Sequence, residues 1–111
     1  MKKPEQAIAR LEGLLEEATQ RENQTNHAIN LRKKLVEQGR DLLRSYKDLI
    51  KQMTRTGVKT KHIVKIQKEA VYEYQQHVNV LMQLKNMNAE ARNQVFDFTQ
   101  VLEELKPNDK V

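Results

Sequence analysis

Apolar residues recur along the first half of the chain in alternating steps of three and four, from Ile8, Leu11, Leu15 and Ala18 to Leu43, Tyr46, Ile50 and Met53. One register holds over nearly seven heptads, the pattern of a long helix that packs along a narrow seam. Between its ends the seam passes through Glu22, Thr25, Ile29, Arg32, Val36 and Gly39, so its packing is uneven. A second series begins at Ile63, Gln67, Ala70, Tyr74 and His77 and continues through Leu81, Leu84, Asn88, Ala91 and Val95 to Phe98, Leu102 and Leu105.

The stretch between the two series carries turn chemistry. Gly57 can adopt the left-handed conformation that closes a helix, and Thr60, or Thr56 if the turn is tighter, can cap the next one. Pro4 suits a first helical turn, and Pro107 marks the expected stop of the second helix. The pattern therefore predicts one helical domain over 1–111, with a helix at about 4–55, a turn at about 56–60 and a helix at about 61–106. So short a connection makes the helices antiparallel neighbours, each on the order of 70 Å long at the usual helical rise.

With the turn centred near residue 57, residue i faces roughly residue 115 − i. Ala18 then lies near Phe98, Gly39 near Tyr74 and His77, and Tyr46 near Ala70, each a small residue against a large one. Glu22–Asn26 falls opposite Asn88–Arg92, and Glu22 comes within reach of Arg92. The same polar zones support an alternative. Asn23, Thr25 and Asn26 on one arm and Asn86 and Asn88 on the other are weak helix formers and good caps. Breaks at both places would fold the chain into a compact three- or four-helix bundle.

A simple hairpin leaves apolar residues beside its seam. Leu35, Leu42 and Leu49, in line with Leu14 and Ala28, form one stripe; Val64, Val71 and Val78 form another; Ile66, Val80, Met87 and Val101 form a third. Exposed stripes of this length are unusual on a monomer. The expectation is that Leu35, Leu42, Leu49, Val64, Val71 and Val78 dock helices, either in a homodimeric four-helix bundle or on a partner protein.

Composition supports the helical reading: charged residues are 32%, aromatics 5%, and there are only three Gly, two Pro and no Trp, a mixture rich in helix formers. With no cysteine, disulfides and thiolate metal sites are excluded. No apolar run approaches the roughly 20 residues of a membrane span, and MKKPEQAIARLEG lacks the apolar segment of a secretory signal. A cytoplasmic, intracellular protein without membrane contact is the expectation.

Charge adds a functional candidate. Residues 32–68 hold 12 Lys/Arg against 3 Asp/Glu, whereas the flanking segments are mildly acidic. Arg40, Arg44, Lys47, Lys51 and Arg55 repeat along one flank of the first helix, Lys59 stands in the turn, and Lys61, Lys65 and Lys68 continue along the second. Lys61 and Lys65 oppose the dipole at a helix start, a local cost that points to another use for the charge. Such a block is a solvated face in the plainest reading; otherwise it suits a protein partner, including a second hairpin whose acidic open end lies over the basic tip, or nucleic acid, held through its phosphates without base specificity. Tyr46, the one aromatic within it, is expected in the seam, so base stacking has little support.

No phosphate-binding glycine loop or HExxH motif is present. His27, His62 and His77 lack ligand spacing, and Glu16-Glu17 and Glu103-Glu104 read as solvated surface. No catalytic, cofactor or metal site is expected. The leading expectation is a non-enzymatic helical interaction module (an adaptor, chaperone or assembly factor); the alternative is a nucleic-acid-binding protein that uses a basic hairpin tip.

Overall fold

The computed structural model describes residues 2–105. They form two helices, α1 (Lys2–Arg55) and α2 (Lys61–Leu105), arranged as an antiparallel hairpin. Among the described residues there is no strand. The expected stop at Pro107 lies outside them. Among the described residues no helix is long and apolar enough to cross a membrane.

Both helices run unbroken through the asparagine-rich zones, so the compact bundle is not adopted. Hydroxyl side chains along α1 do not cap new helices but return their hydrogen bonds to the preceding turn: Thr19 to the Leu15 carbonyl, Thr25 to Arg21, Ser45 to Asp41 and Thr54 to Ile50. Such a bond uses the carbonyl's second lone pair, so the backbone bond to that carbonyl is kept.

By packing, the chain divides into two compact units, Met1–His27 with Leu84–Val111, and Ala28–Gln83. In the first unit the core is built on Ala18 and Ala91, with Thr25 and Asn88 buried beside them. Asn88 donates its amide to Thr25 Oγ1 (2.8 Å) and to the Glu22 carbonyl (3.0 Å), and its Oδ1 accepts from Arg92 Nη2 (3.1 Å). Every polar atom of the asparagine side chain is thereby engaged, as burial demands. Arg92 also approaches the Glu22 carboxylate at 3.9 Å, the reach expected from the opposing register. Because Arg92 is largely exposed, this pair adds little stability. Arg21 and Gln94 form a further hydrogen bond between the helices.

In the second unit Ile29 and Val36 are the buried apolar residues. Arg32 Nη1 donates to His77 Nδ1 at 2.8 Å, which fixes that histidine nitrogen as an acceptor, since a guanidinium has only donors. Gly39 admits Tyr74: a Cβ built on the glycine would stand 3.1 Å from Tyr74 Cδ1.

The turn is closed by Gly57, whose φ is +74°. Its N–H reaches the Thr54 carbonyl (3.2 Å), and the Val58 N–H reaches that of Met53 (2.9 Å). This pair of bonds is a Schellman motif, with glycine in the left-handed position it requires. Thr56 does not cap α2; its hydroxyl lies 3.1 Å from the carbonyls of Gln52 and Met53, at the end of α1. Thr60 occupies the position before α2, where its carbonyl accepts from the Val64 N–H.

Candidate functional site

Every seam position of α1 from Ile8 to Met53 is buried or half-buried. So is every seam position of α2 from Ile63 to Leu102, while Leu105 is exposed. Heptad labels can therefore be assigned, with the seam at positions a and d. In an antiparallel pair the g positions of the two helices flank one side of the seam and the e positions flank the other. In the second unit the expected site residues sort onto these two sides.

Leu35, Leu42 and Leu49 are at g of α1 and remain 38%, 45% and 41% exposed. The neighbouring c positions are Leu31, Gln38, Ser45 and Gln52, all exposed. From Ala28 to Gln52, the c and g positions of α1 hold no charged residue at all. Across the seam on the same side lie the g positions of α2, Ile66, Glu73 and Val80, with Glu69 at c. A shallow groove bordered by Leu35, Gln38 and Leu42 from α1 and by Glu73 from α2 confirms this sidedness.

Val64, Val71 and Val78 are at e of α2 and so belong to the opposite side. The six residues expected to dock helices are thus not one surface. Val64 and Val78 are half-buried, and only Val71 is exposed. Beside these valines run the e and b positions of α1, which include Arg40, Arg44, Lys47 and Lys51, while Lys61 and Lys68 occupy b of α2. Six of the nine basic candidates share this side, joined by Lys33, with Glu37 as its one carboxylate. All are exposed. Arg55 and Lys65 point away from the seam at position f, and Lys59 lies in the turn.

The second unit is therefore two-faced. One side presents a cation-rich surface with a valine line between its rails. The other presents neutral leucines on α1 and two glutamates on α2. The sequence signal for this division is the absence of charge at c and g of α1, visible only once the stripes are labelled relative to the seam.

In the first unit an apolar cleft is lined by Ile8, Leu15 and Leu102 and edged by Glu12 and Glu103. Among the described residues, no three His, Cys, Asp or Glu side chains come together as a metal would require. The chain matches no known family model, no curated protein and no solved structure.

Proposed function

We propose that the protein is a non-enzymatic helical interaction module whose leucine-bearing side in the second unit docks an amphipathic helix with a neutral contact face. The observation that supports this most directly is the run Leu35, Leu42 and Leu49, exposed at a heptad spacing within a stripe free of charge. Isolated surface leucines need no explanation, but an aligned set spanning several turns is the complement of another helix. Water borders this stripe at a free-energy cost of roughly 25 cal/mol for each Å² of apolar surface, which a docked helix removes.

The test is site-specific photo-crosslinking in the cells that make the protein. Photoreactive side chains at 35, 42 and 49 are expected to give adducts that map to one helix, whether of this protein or another. Matched probes at Asp41 and Asp48 are expected not to. Adducts scattered over unrelated segments, or none from any of the three positions, would overturn the reading.

A second reading is supported by a separate observation: Arg40, Arg44, Lys47, Lys51, Lys61 and Lys68 gather on one side of one unit. Such a surface suits a phosphate backbone, bound by charge and without base readout. Its test is titration with duplex DNA and RNA across salt concentration. Absence of binding at low salt removes it.

A further inference from the structure

We propose that the helix docked on the leucine stripe is the same stripe of a second copy, α1 against α1, antiparallel, with a two-fold axis at Leu42. The proposal rests on the docking reading above and names its partner.

A two-fold contact must be self-complementary, each residue meeting its own counterpart across the axis. The neutral stripe runs at position g through Ala28, Leu35, Leu42 and Leu49 of α1 and ends at Thr56, the residue just after the helix, whose N–H still bonds the Gln52 carbonyl. Inverted about Leu42, it reproduces itself: Leu42 meets Leu42, Leu35 meets Leu49 of the second copy, and small Ala28 meets small Thr56. No other centre within the stripe superposes all five positions.

Charge then selects α1 over α2 as the opposing helix. Docking the leucines on α2 of the second copy would bring them onto Glu69 and Glu73, exposed carboxylates at the corresponding c and g positions. The α1 stripe contains no Lys or Arg to pair with them, so burying them would leave carboxylates desolvated and unpaired. Against another α1 stripe no charge is buried. Positions c and g also face slightly away from the seam, so an α1–α1 contact leaves both glutamates of each copy in water. The basic side of each copy stays free.

The contact is modest. The stripe is about 40 Å long at the helical rise, and a single helix pair of that length lies near the small end of specific interfaces, roughly 1,200 Å² in total. A reversible dimer, half-dissociated at micromolar concentration, is the expected result.

The chain has no cysteine, so single cysteines report proximity without background. In sedimentation or light scattering, the unaltered protein is expected to give a dimer mass at high concentration. On mild oxidation Leu42→Cys should cross-link to itself. Leu35→Cys mixed with Leu49→Cys should give the mixed disulfide in preference to either homodimer, and Arg44→Cys, on the opposite side, should stay uncross-linked. Leu42→Lys should weaken association at least about tenfold, with unchanged helicity by circular dichroism to show that the chain still folds. Three results would overturn the proposal: a monomer at all concentrations, preferred 35–35 and 49–49 disulfides (a parallel pairing), or a dimer cross-linked through position 44. In the first case, photo-adducts from 35, 42 and 49 to one helix of another protein would leave the docking reading standing. Their absence would remove both.

Discussion

Asn88 donates its side-chain amide to Thr25 Oγ1 at 2.8 Å across the seam, and the two residues are only 5% and 7% exposed. A buried polar pair in the seam fixes which turn of one helix meets which turn of the other, because any slip leaves its donors and acceptors buried without partners. Asn88→Asp keeps the shape but replaces the donating amide with a carboxylate aimed at the Glu22 carbonyl. The expected loss is about 2–4 kcal/mol, read by urea denaturation at neutral pH. Asn88→Leu should cost far less, since Thr25 retains its bond to the Arg21 carbonyl. Its signature is exchange broadening in NMR spectra around residues 22–29, from alternative registers.

Two glycines are expected to respond in opposite directions to the same change. Gly13 is helical, with nothing within 4 Å of a built Cβ. Gly13→Ala should therefore stabilise by up to about 1 kcal/mol through helix propensity. Gly57 has equal space but a φ of +74°. Gly57→Ala should destabilise by about 1 kcal/mol, since a Cβ is strained in that conformation. Thermal melts of the two variants, run side by side, check both signs.

Gly39 tests the packing of the second unit. Its built Cβ lies 3.1 Å from the Tyr74 ring, so Gly39→Ala sets a propensity gain against a tight contact and should change stability little. Gly39→Val exceeds the space and is expected to cost about 1–3 kcal/mol. Combining it with Tyr74→Ala should recover part of that cost, so a double-mutant cycle gives a coupling energy of clear sign.

The basic side makes a prediction that depends on geometry and not on net charge. If polyanions bind there, neutralising Arg40, Arg44, Lys47 and Lys51 to Gln should flatten the plot of log affinity against log salt, by about 0.9 for each phosphate no longer neutralised. Neutralising Arg55, Lys59 and Lys65, which lie at the tip or away from the seam, should flatten it less per residue. Equal effects would mean that charge acts without a defined face.

The seam is legible in the sequence because a heptad repeat reports directly which residues turn inward. Gly39 against Tyr74 and Glu22 near Arg92 follow from the turn position alone. The Asn88–Thr25 bond is not legible. An asparagine reads as a helix breaker when taken by itself, and its value as a buried donor appears only when a hydroxyl and a carbonyl are placed opposite it. The division of the leucine and valine stripes between two sides is hidden for a related reason. Spacing along one helix fixes a face of that helix, but only the pairing of g with g and e with e fixes which faces share a side of the hairpin. Charge reads most readily as a property of a chain segment, although its absence along Leu31, Leu35, Gln38 and Leu42 carries as much information as its presence at Arg40 and Arg44.

The tight closure at Gly57 has a consequence for how the cationic end is sensed from outside. It sets the carboxyl end of α1 beside the amino end of α2, so the partial negative pole of one helix lies next to the partial positive pole of the other. At any distance beyond a turn or two the backbone contributes almost no field there. Lys61 and Lys65 are consequently less costly to their helix than they would be at an isolated start, and the positive potential of this region comes almost wholly from removable side-chain charges. Acylation of its lysines would therefore discharge much of the surface without disturbing the fold, leaving the arginines as a fixed remainder.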